Sequence, residues 1–152
     1  MPGSMRRFLL VALALVVFVA ITLGVARQLG ASSAERNAAV AVVKDQAHGD
    51  AAAVVRRIRG CRDEPACRAR VGGQVHRLRT AGTFRIVRYD GLAGVSLGGR
   101  SGVARIVWKA GARLPTVQCV RLRRAGDLIG GYRVQVLALS DPIPREDPCP
   151  KG

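Results

Sequence analysis

Residues 8–26 read FLLVALALVVFVAITLGVA, nineteen residues without a charged side chain. An α-helix rises about 1.5 Å per residue, so a helix of this length measures roughly 28 Å, close to the hydrocarbon thickness of a bilayer. A helix also pairs its own backbone groups, as the bilayer interior requires. The sequence therefore predicts a transmembrane helix over residues 8–26, and the rest of the chain is organised around it.

A cleaved signal peptide is the alternative interpretation of this segment. Arg6 and Arg7 precede it, and small residues follow at 24–26 and 32–34, as a cleavage site requires. The apolar core is, however, longer than the about 7 to 15 residues of a typical signal. Its length favours an uncleaved signal anchor, while cleavage stays open.

The anchor divides the chain into regions. We expect a cytoplasmic tail (1–7), a transmembrane helix (8–26), a linker (27–33), an extracytoplasmic domain (34–140) and a proline-rich tail (141–152). Arginines lie on both sides of the segment, so charge alone favours neither orientation. The cysteines decide it, because all four follow the anchor.

An even number of cysteines in a small exported domain predicts disulfides. Proximity along the chain favours Cys61–Cys67, which leaves Cys119–Cys149. Four reduced cysteines in a cytoplasmic domain are the alternative. With disulfides, the domain lies outside the cytoplasm, and the protein is a single-pass protein of the cell membrane.

The sequence predicts neither a metal site nor a cofactor. There is no Cys-x-x-Cys motif, and His48 and His76 stand at no ligand spacing. Residues 98–102, GGRSG, lack the lysine and the strand-to-helix context of a phosphate loop.

The chain is strongly basic, with a formal net charge of +15 that comes from 22 Arg and 3 Lys. This skew resembles the codon bias of a GC-rich bacterium, and the basic residues form no block. Nucleic acid is disfavoured because few aromatic side chains follow the anchor to stack on bases. The expected partners are membrane lipid, through the N-terminal helix, and another envelope protein or an anionic envelope polymer.

Three helices are predicted after the anchor. Ser32 and Glu35 have the spacing of a capping box and predict a helix over residues 34–48 with Ser32 as its N-cap, Gly49 at its C-terminal end and Asp50 as the next N-cap. The second helix covers residues 51–59. Pro65 predicts the first turn of the third, whose core-facing stripe has a helical period: Cys67, Val71, Val75 and Leu78.

Beyond residue 82 the pattern alternates as in strands. We predict strands at 83–89, 95–97, 103–108, 114–123 and 132–139, with turns at 90–91 and 98–102 and a hairpin connection at 124–127. Helices followed by hairpin-connected strands indicate an α+β fold. We expect two or three helices packed on a curved antiparallel sheet of four to five strands, a cone-like roll.

The order of anchor, helices and meander, ending in V-x-C-V-R-L-R-R-A-G-D…G-Y-R-V-Q-V from Val117 to Val136, resembles the nuclear transport factor two-like superfamily. It is similar to small exported or membrane-anchored actinobacterial members. In such members the last hairpin turn is Gly-Asp or Asp-Gly before a strand that begins with Trp; Gly126-Asp127 and Tyr132 stand there, with a longer connection.

The resemblance implies that an enzyme would place an Asp or His and a Tyr in the cone. Asp90 lies in a predicted turn, and Tyr89 and Tyr132 are typical packing residues. No Gly-x-Ser-x-Gly motif and no Cys–His arrangement is present. No catalytic residue is therefore predicted, and the sequence favours a non-enzymatic, membrane-anchored, extracytoplasmic binding or assembly module over a small isomerase or hydrolase.

A minor-pilin-like assembly subunit is a further alternative, because it also has a membrane helix, a sheet and a late cysteine pair. A prepilin needs an acidic residue early in its apolar segment, and none lies between Met1 and Thr22. Its helix also runs on without a break, whereas Gly30 and the Ser32 cap predict an interruption here.

Overall fold

The computed structural model describes residues 2–91, 101–127 and 131–150. The chain forms two compact units, Met1–Ser33 and Ala34–Gly152. Its elements, in order, are α1 (Pro2–His48), α2 (Ala51–Arg57), α3 (Pro65–Leu78), β1 (Phe84–Asp90), β2 (Ser101–Ala110), β3 (Thr116–Asp127) and β4 (Gly131–Leu139). The predicted strand at 95–97 and most of the turn at 98–102 lie outside the described residues.

The first unit carries the apolar segment. Within the described residues, one helical segment is long and apolar enough to cross a membrane, Arg6–Ala26, with a mean hydropathy of 3.0. Its apolar side chains are exposed, for example Phe8 at 76% and Phe18 at 69%. A helix that is apolar all round and exposed has the surface that lipid covers.

The predicted helix start at Ser32 is wrong. Helix α1 runs without a break from Pro2 to His48, so residues 27–33 are helical and Gly30 does not interrupt them. The Ser-x-x-Glu spacing of a capping box is also one helical turn, so the pattern occurs inside helices as well as at their starts. The carboxylate of Glu35 accepts a hydrogen bond from Arg124 Nε on β3.

The predicted end of this helix is confirmed. Gly49 has φ +86°, and its N–H donates to the carbonyl of Gln46 over 3.1 Å. The N–H of Asp50 reaches back to the carbonyl of Asp45 over 3.0 Å, which completes a Schellman motif. Asp50 then caps α2, since its Oδ1 accepts the N–H of Ala53 over 2.8 Å.

The third helix also begins as predicted, with Pro65 in its first turn. Cys67, Val71 and Val75 are buried along one side, and Leu78 is half-buried against the same core. The helical period therefore identified the buried face of α3, although Gly72 and Gly73 lie inside it.

The four strands form an antiparallel sheet in the order β1-β2-β3-β4. The sheet is open among the described strands, with β1 and β4 at its edges. The edge of β4 is partly covered, because the N–H of Arg59 donates to the carbonyl of Val136 over 2.8 Å. Covering an edge in this way protects it from pairing with another chain.

The predicted hairpin connection at 124–127 is wrong. These residues extend β3 and pair with β4 as far as Asp127 opposite Gly131. The Ala-Gly-Asp composition is typical of turns, but pairing with β4 overrides that local preference. The connection at 128–130 lies outside the described residues.

The core lies between the helices and one face of the sheet, which gives the α+β fold that the sequence predicts. Alternate strand residues enter it, including Ala104 and Ile106 of β2 and Leu122 of β3. Val42 and Val43 of α1 pack against them and are fully buried.

A polar network crosses this core around Gln118, which is fully buried. Gln118 Oε1 accepts hydrogen bonds from Gln46 Nε2 (3.0 Å) and Trp108 Nε1 (2.8 Å). Its Nε2 donates to Gln46 Oε1 (3.4 Å) and to the carbonyl of Ser140 (2.9 Å), which Gln74 Nε2 also reaches. Because its oxygen and nitrogen each make two hydrogen bonds, the amide is buried without an unmet polar atom.

We expect Gln118→Leu to lower the free energy of unfolding by about 3 kcal/mol, because the Trp108 N–H and the Gln46 amide lose partners in the core. Gln135→Leu is the matched control and should cost less than about 1 kcal/mol, since it removes a solvent-exposed hydrogen bond with Arg59. Urea unfolding of the full chain in micelles, followed by the fluorescence of Trp108, measures both. Equal losses would contradict the role of the buried network.

Candidate ligand-binding groove

The sheet face turned away from the helices is rich in arginine. We call it the open face; it carries the residues that alternate with the core positions of β1, β2 and β3, namely Arg85, Arg88, Asp90, Val103, Arg105, Val107, Lys109, Val117, Cys119, Arg121 and Arg123. Arg85 lies directly opposite Lys109. Like charges in directly opposed positions are destabilising, and both of these side chains are exposed to solvent.

The C-terminal tail, residues 140–150, first runs antiparallel along β3, where Ser140 and Ile143 pair with it, and then crosses the open face at Arg145 and Cys149. The disulfide Cys119–Cys149 joins it to β3 with a Cα–Cα distance of 5.8 Å. The N–H of Ile143 donates to the carbonyl of Val117 over 2.9 Å, and Arg105 Nη2 donates to the carbonyl of Arg145. Backbone, side chain and covalent bond thus hold the tail in place.

A groove of about 670 Å³ lies between the tail and the open face. Its lining combines the end of β1, the start of β2, the open face and the tail: Asp90, Gly91, Ser101, Gly102, Val103, Arg105, Arg121, Leu137, Pro148, Cys149 and Pro150. This volume is in the range of small-molecule sites, roughly 300 to 1,000 Å³.

The charged groups of the groove leave an excess of positive charge. The carboxylate of Asp90 accepts two hydrogen bonds from Arg88 Nε, at 2.8 and 3.0 Å, which raise the pKa of the Arg88 guanidinium. Arg121 is half-buried and makes no hydrogen bond or ion pair within the described residues. Arg105 Nε is buried without a hydrogen-bond partner there. Among the described groups, neither Arg105 nor Arg121 forms an ion pair; Asp90, opposite Arg105 in the strand register, is bound by Arg88.

A second polar cluster lies on the other side of the sheet. Glu35 is 3% exposed and forms an ion pair with Arg124. The hydroxyl of Tyr89 is buried and has no hydrogen-bond partner among the described residues. Desolvation raises the pKa of Tyr89, the charge of Glu35 raises it further, and Arg36 acts in the opposite direction. Neither Glu35 nor Tyr89 lines the groove.

The cysteines lie in two disulfides, Cys61–Cys67 and Cys119–Cys149, the pairs that proximity along the chain favours. The first links the segment after α2 to the first turn of α3 with a Cα–Cα distance of 5.3 Å. Within the described ranges, no group of three or more His, Cys, Asp or Glu side chains could hold a metal ion.

The remaining sequence-selected residues are dispersed. His48 is exposed beside Phe84, with ring centroids 6.4 Å apart, and His76 is exposed on α3. Asp90 is the last residue of β1, so its prediction as a turn residue is wrong; pairing with Arg105 extends the strand to this point. The side chain of Tyr132 lies outside the described residues.

Sequence reasoning missed Arg105 and Arg121 as candidate site residues. Both alternate with buried positions, so their place on the open face could have been read from the strand pattern. They could not be singled out from 22 arginines, because the groove exists only where the tail crosses the sheet.

No protein-family model, curated protein or solved structure matches the chain.

Removing the Cys119–Cys149 disulfide by double substitution to Ser should lower the free energy of unfolding by about 4 kcal/mol, against about 2 kcal/mol for Cys61–Cys67. The difference arises because the longer loop, with a sequence separation of 30, constrains the unfolded chain more than one of 6. Urea unfolding measures both. Faster trypsin cleavage after Arg145 in the variant that lacks Cys119–Cys149, but not in the variant that lacks Cys61–Cys67, would report release of the tail. Unchanged cleavage would contradict the attachment of the tail by Cys149.

We expect the phenol of Tyr89 to titrate above its ordinary pKa of about 10 in the folded protein and near 10 in urea. Since the folded-state pKa is raised, this contribution to stability is complete below about pH 10 and is lost as pH rises through the folded pKa. Absorbance at 295 nm in a Tyr132→Phe background, which leaves Tyr89 as the only tyrosine, follows the titration. Coincident folded and unfolded curves would contradict the burial of the hydroxyl.

Proposed function

We propose that the protein is a single-pass, membrane-anchored, extracytoplasmic binding or assembly module without enzymatic activity. The observation that carries this proposal is a domain with two disulfides that follows one apolar helix long enough to span a bilayer. Disulfides persist in oxidising compartments and are rare in the cytosol. In this orientation the residues before the helix are cytoplasmic and the α+β domain is outside.

A binding role is supported by the position of the groove. It opens on the face of the sheet away from the helices, and its charged groups are arginines and one carboxylate already engaged by Arg88. Such a site can hold an anion, and its described lining residues include neither an activated nucleophile nor an unengaged carboxylate for proton transfer.

The alternative, an isomerase- or hydrolase-type enzyme, would use a cavity between helices and sheet. Glu35 and Tyr89 are the candidate groups on that side, but Arg124 already engages the Glu35 carboxylate. Tyr89 packs against the apolar core, in which Ile106 and Leu122 are fully buried. A carboxylate already engaged beside an apolar core supports the binding module. Helices on one face of an antiparallel sheet also fit the nuclear transport factor two-like resemblance, which we retain as a proposal.

A minor-pilin-like assembly subunit is a second candidate because helix α1 is continuous over 47 residues. One of the two sequence arguments against it therefore falls. The other remains, since no acidic residue lies between Met1 and Thr22.

The proposed orientation is tested by protease digestion of intact protoplasts that carry the full chain with a C-terminal tag. We expect loss of the C-terminal tag and protection of a tag placed at the N-terminus, with both lost after detergent lysis. A protected C-terminal tag would contradict the proposal. Recovery of the chain in filaments sheared from cells, rather than in membranes, would favour the assembly subunit.

A further inference from the structure

We infer that the groove between the tail and the open face is a binding site for a phosphodiester-bearing ligand, held by Arg105 and Arg121. This inference deepens the proposed function, since it names the ligand class of that module. The phosphodiester could belong to the headgroup of an anionic phospholipid or to a soluble glycerophosphodiester, and the experiment below separates the two sources.

The first argument is the state of Arg121. Its side chain is half-buried in the groove lining, and no acidic group pairs with it within the described residues. Taking a charge partly out of water is unfavourable unless a counter-ion compensates it. A bound anion supplies that counter-ion.

The second argument is the orientation of Arg105. Arg105 Nη2 is held by the carbonyl of Arg145, while Nε is buried and has no partner among the described groups. The guanidinium is therefore fixed by the tail, and because Nε is covered by protein atoms, a ligand in the groove contacts this guanidinium through its Nη groups. Guanidinium groups present rigid forks of donors that match the oxygens of phosphate.

The third argument is the register of the strands. Arg105 lies opposite Cys119, and Arg121 lies opposite Val103, so the two arginines are diagonal neighbours on one face. Diagonal pairs are about 7–8 Å apart, within reach of long side chains. Two guanidinium groups at this spacing can converge on the two non-bridging oxygens of one phosphodiester, which share its single negative charge.

The rest of the groove indicates a ligand larger than a simple ion. The volume of about 670 Å³ exceeds the needs of one phosphate, and Val103, Leu137 and Pro148 give part of the lining an apolar character. Asp90 adds no unengaged negative charge because Arg88 binds it. An anionic group with a short organic body fits this combination of charge and surface.

The test uses the full chain in nanodiscs of phosphatidylcholine, titrated calorimetrically with glycerophosphoglycerol at about 0.15 M salt, where surface charges are screened beyond about 8 Å. Arg121→Gln should weaken binding at least tenfold. Arg85→Gln, which removes the same charge from the open face outside the groove, should change it less than twofold. Arg121→Lys should recover part of the affinity, and thermal unfolding checks that each variant folds.

Three outcomes would overturn the inference. They are absence of binding, equal weakening by Arg121→Gln and Arg85→Gln, and tighter binding of gluconate, a carboxylate of the same charge with a similar polar body. A single-stranded DNA oligonucleotide that binds more tightly than glycerophosphoglycerol, and that is weakened equally by Arg121→Gln and Arg85→Gln, would indicate general attraction to polyanions. That result would also overturn the inference.

The source of the ligand is separated by nanodiscs that contain phosphatidylglycerol. If the lipid headgroup is the ligand, these nanodiscs weaken the binding of glycerophosphoglycerol by competition, and Arg121→Gln abolishes the effect. If the ligand is soluble, binding is the same in both lipids. Either result supports the site. If the C-terminal tag is protected in protoplasts but Arg121-dependent binding is observed, the proposed location is wrong and the binding site stands. If the tag is digested but no Arg121-dependent binding is observed, the location stands and the inference is wrong.

Discussion

The buried side chain of Gln118 makes four hydrogen bonds, and the positions of the helices, the sheet and the tail depend on them. They connect α1 through Gln46, β2 through Trp108 and the end of β4 through the carbonyl of Ser140. A buried amide costs about 1–3 kcal/mol for each unmet group, so an alternative packing that separates these elements is penalised. Apolar contacts supply most of the stability of the core, but this network specifies which elements meet.

The same network determines where the chain goes after the sheet. Ser140 accepts the N–H of Cys119 on its hydroxyl over 2.8 Å, while its carbonyl receives the amides of Gln118 and Gln74. Residue 140 is thus held from the core side, and Cys149 is held from the open face by its disulfide. The tail between these two points forms one wall of the groove, so the geometry of a surface site is set by a polar contact in the interior.

Signals that act over a few residues were sufficient to predict the helix ends, because Gly49 and Asp50 are satisfied by neighbours within one turn. Long-range partners were not visible in the sequence. Glu35 has the spacing of a cap, but its carboxylate binds Arg124, which lies 89 residues further on. The groove could not be predicted either, since its lining brings together Arg121 on β3 and Pro148, Cys149 and Pro150 in the tail, which are distant in the sequence.

Native-state hydrogen exchange of the full chain in micelles tests most directly whether core and disulfide hold the tail. The N–H groups of Ser140 and Ile143 donate to carbonyls of β3 over 2.9 Å. We predict that both open with a free energy close to that of Val120 in the centre of the sheet, because the tail and the core form one cooperative unit. Exchange of Ser140 and Ile143 at rates near those of an unprotected peptide, with Val120 still protected, would contradict this account.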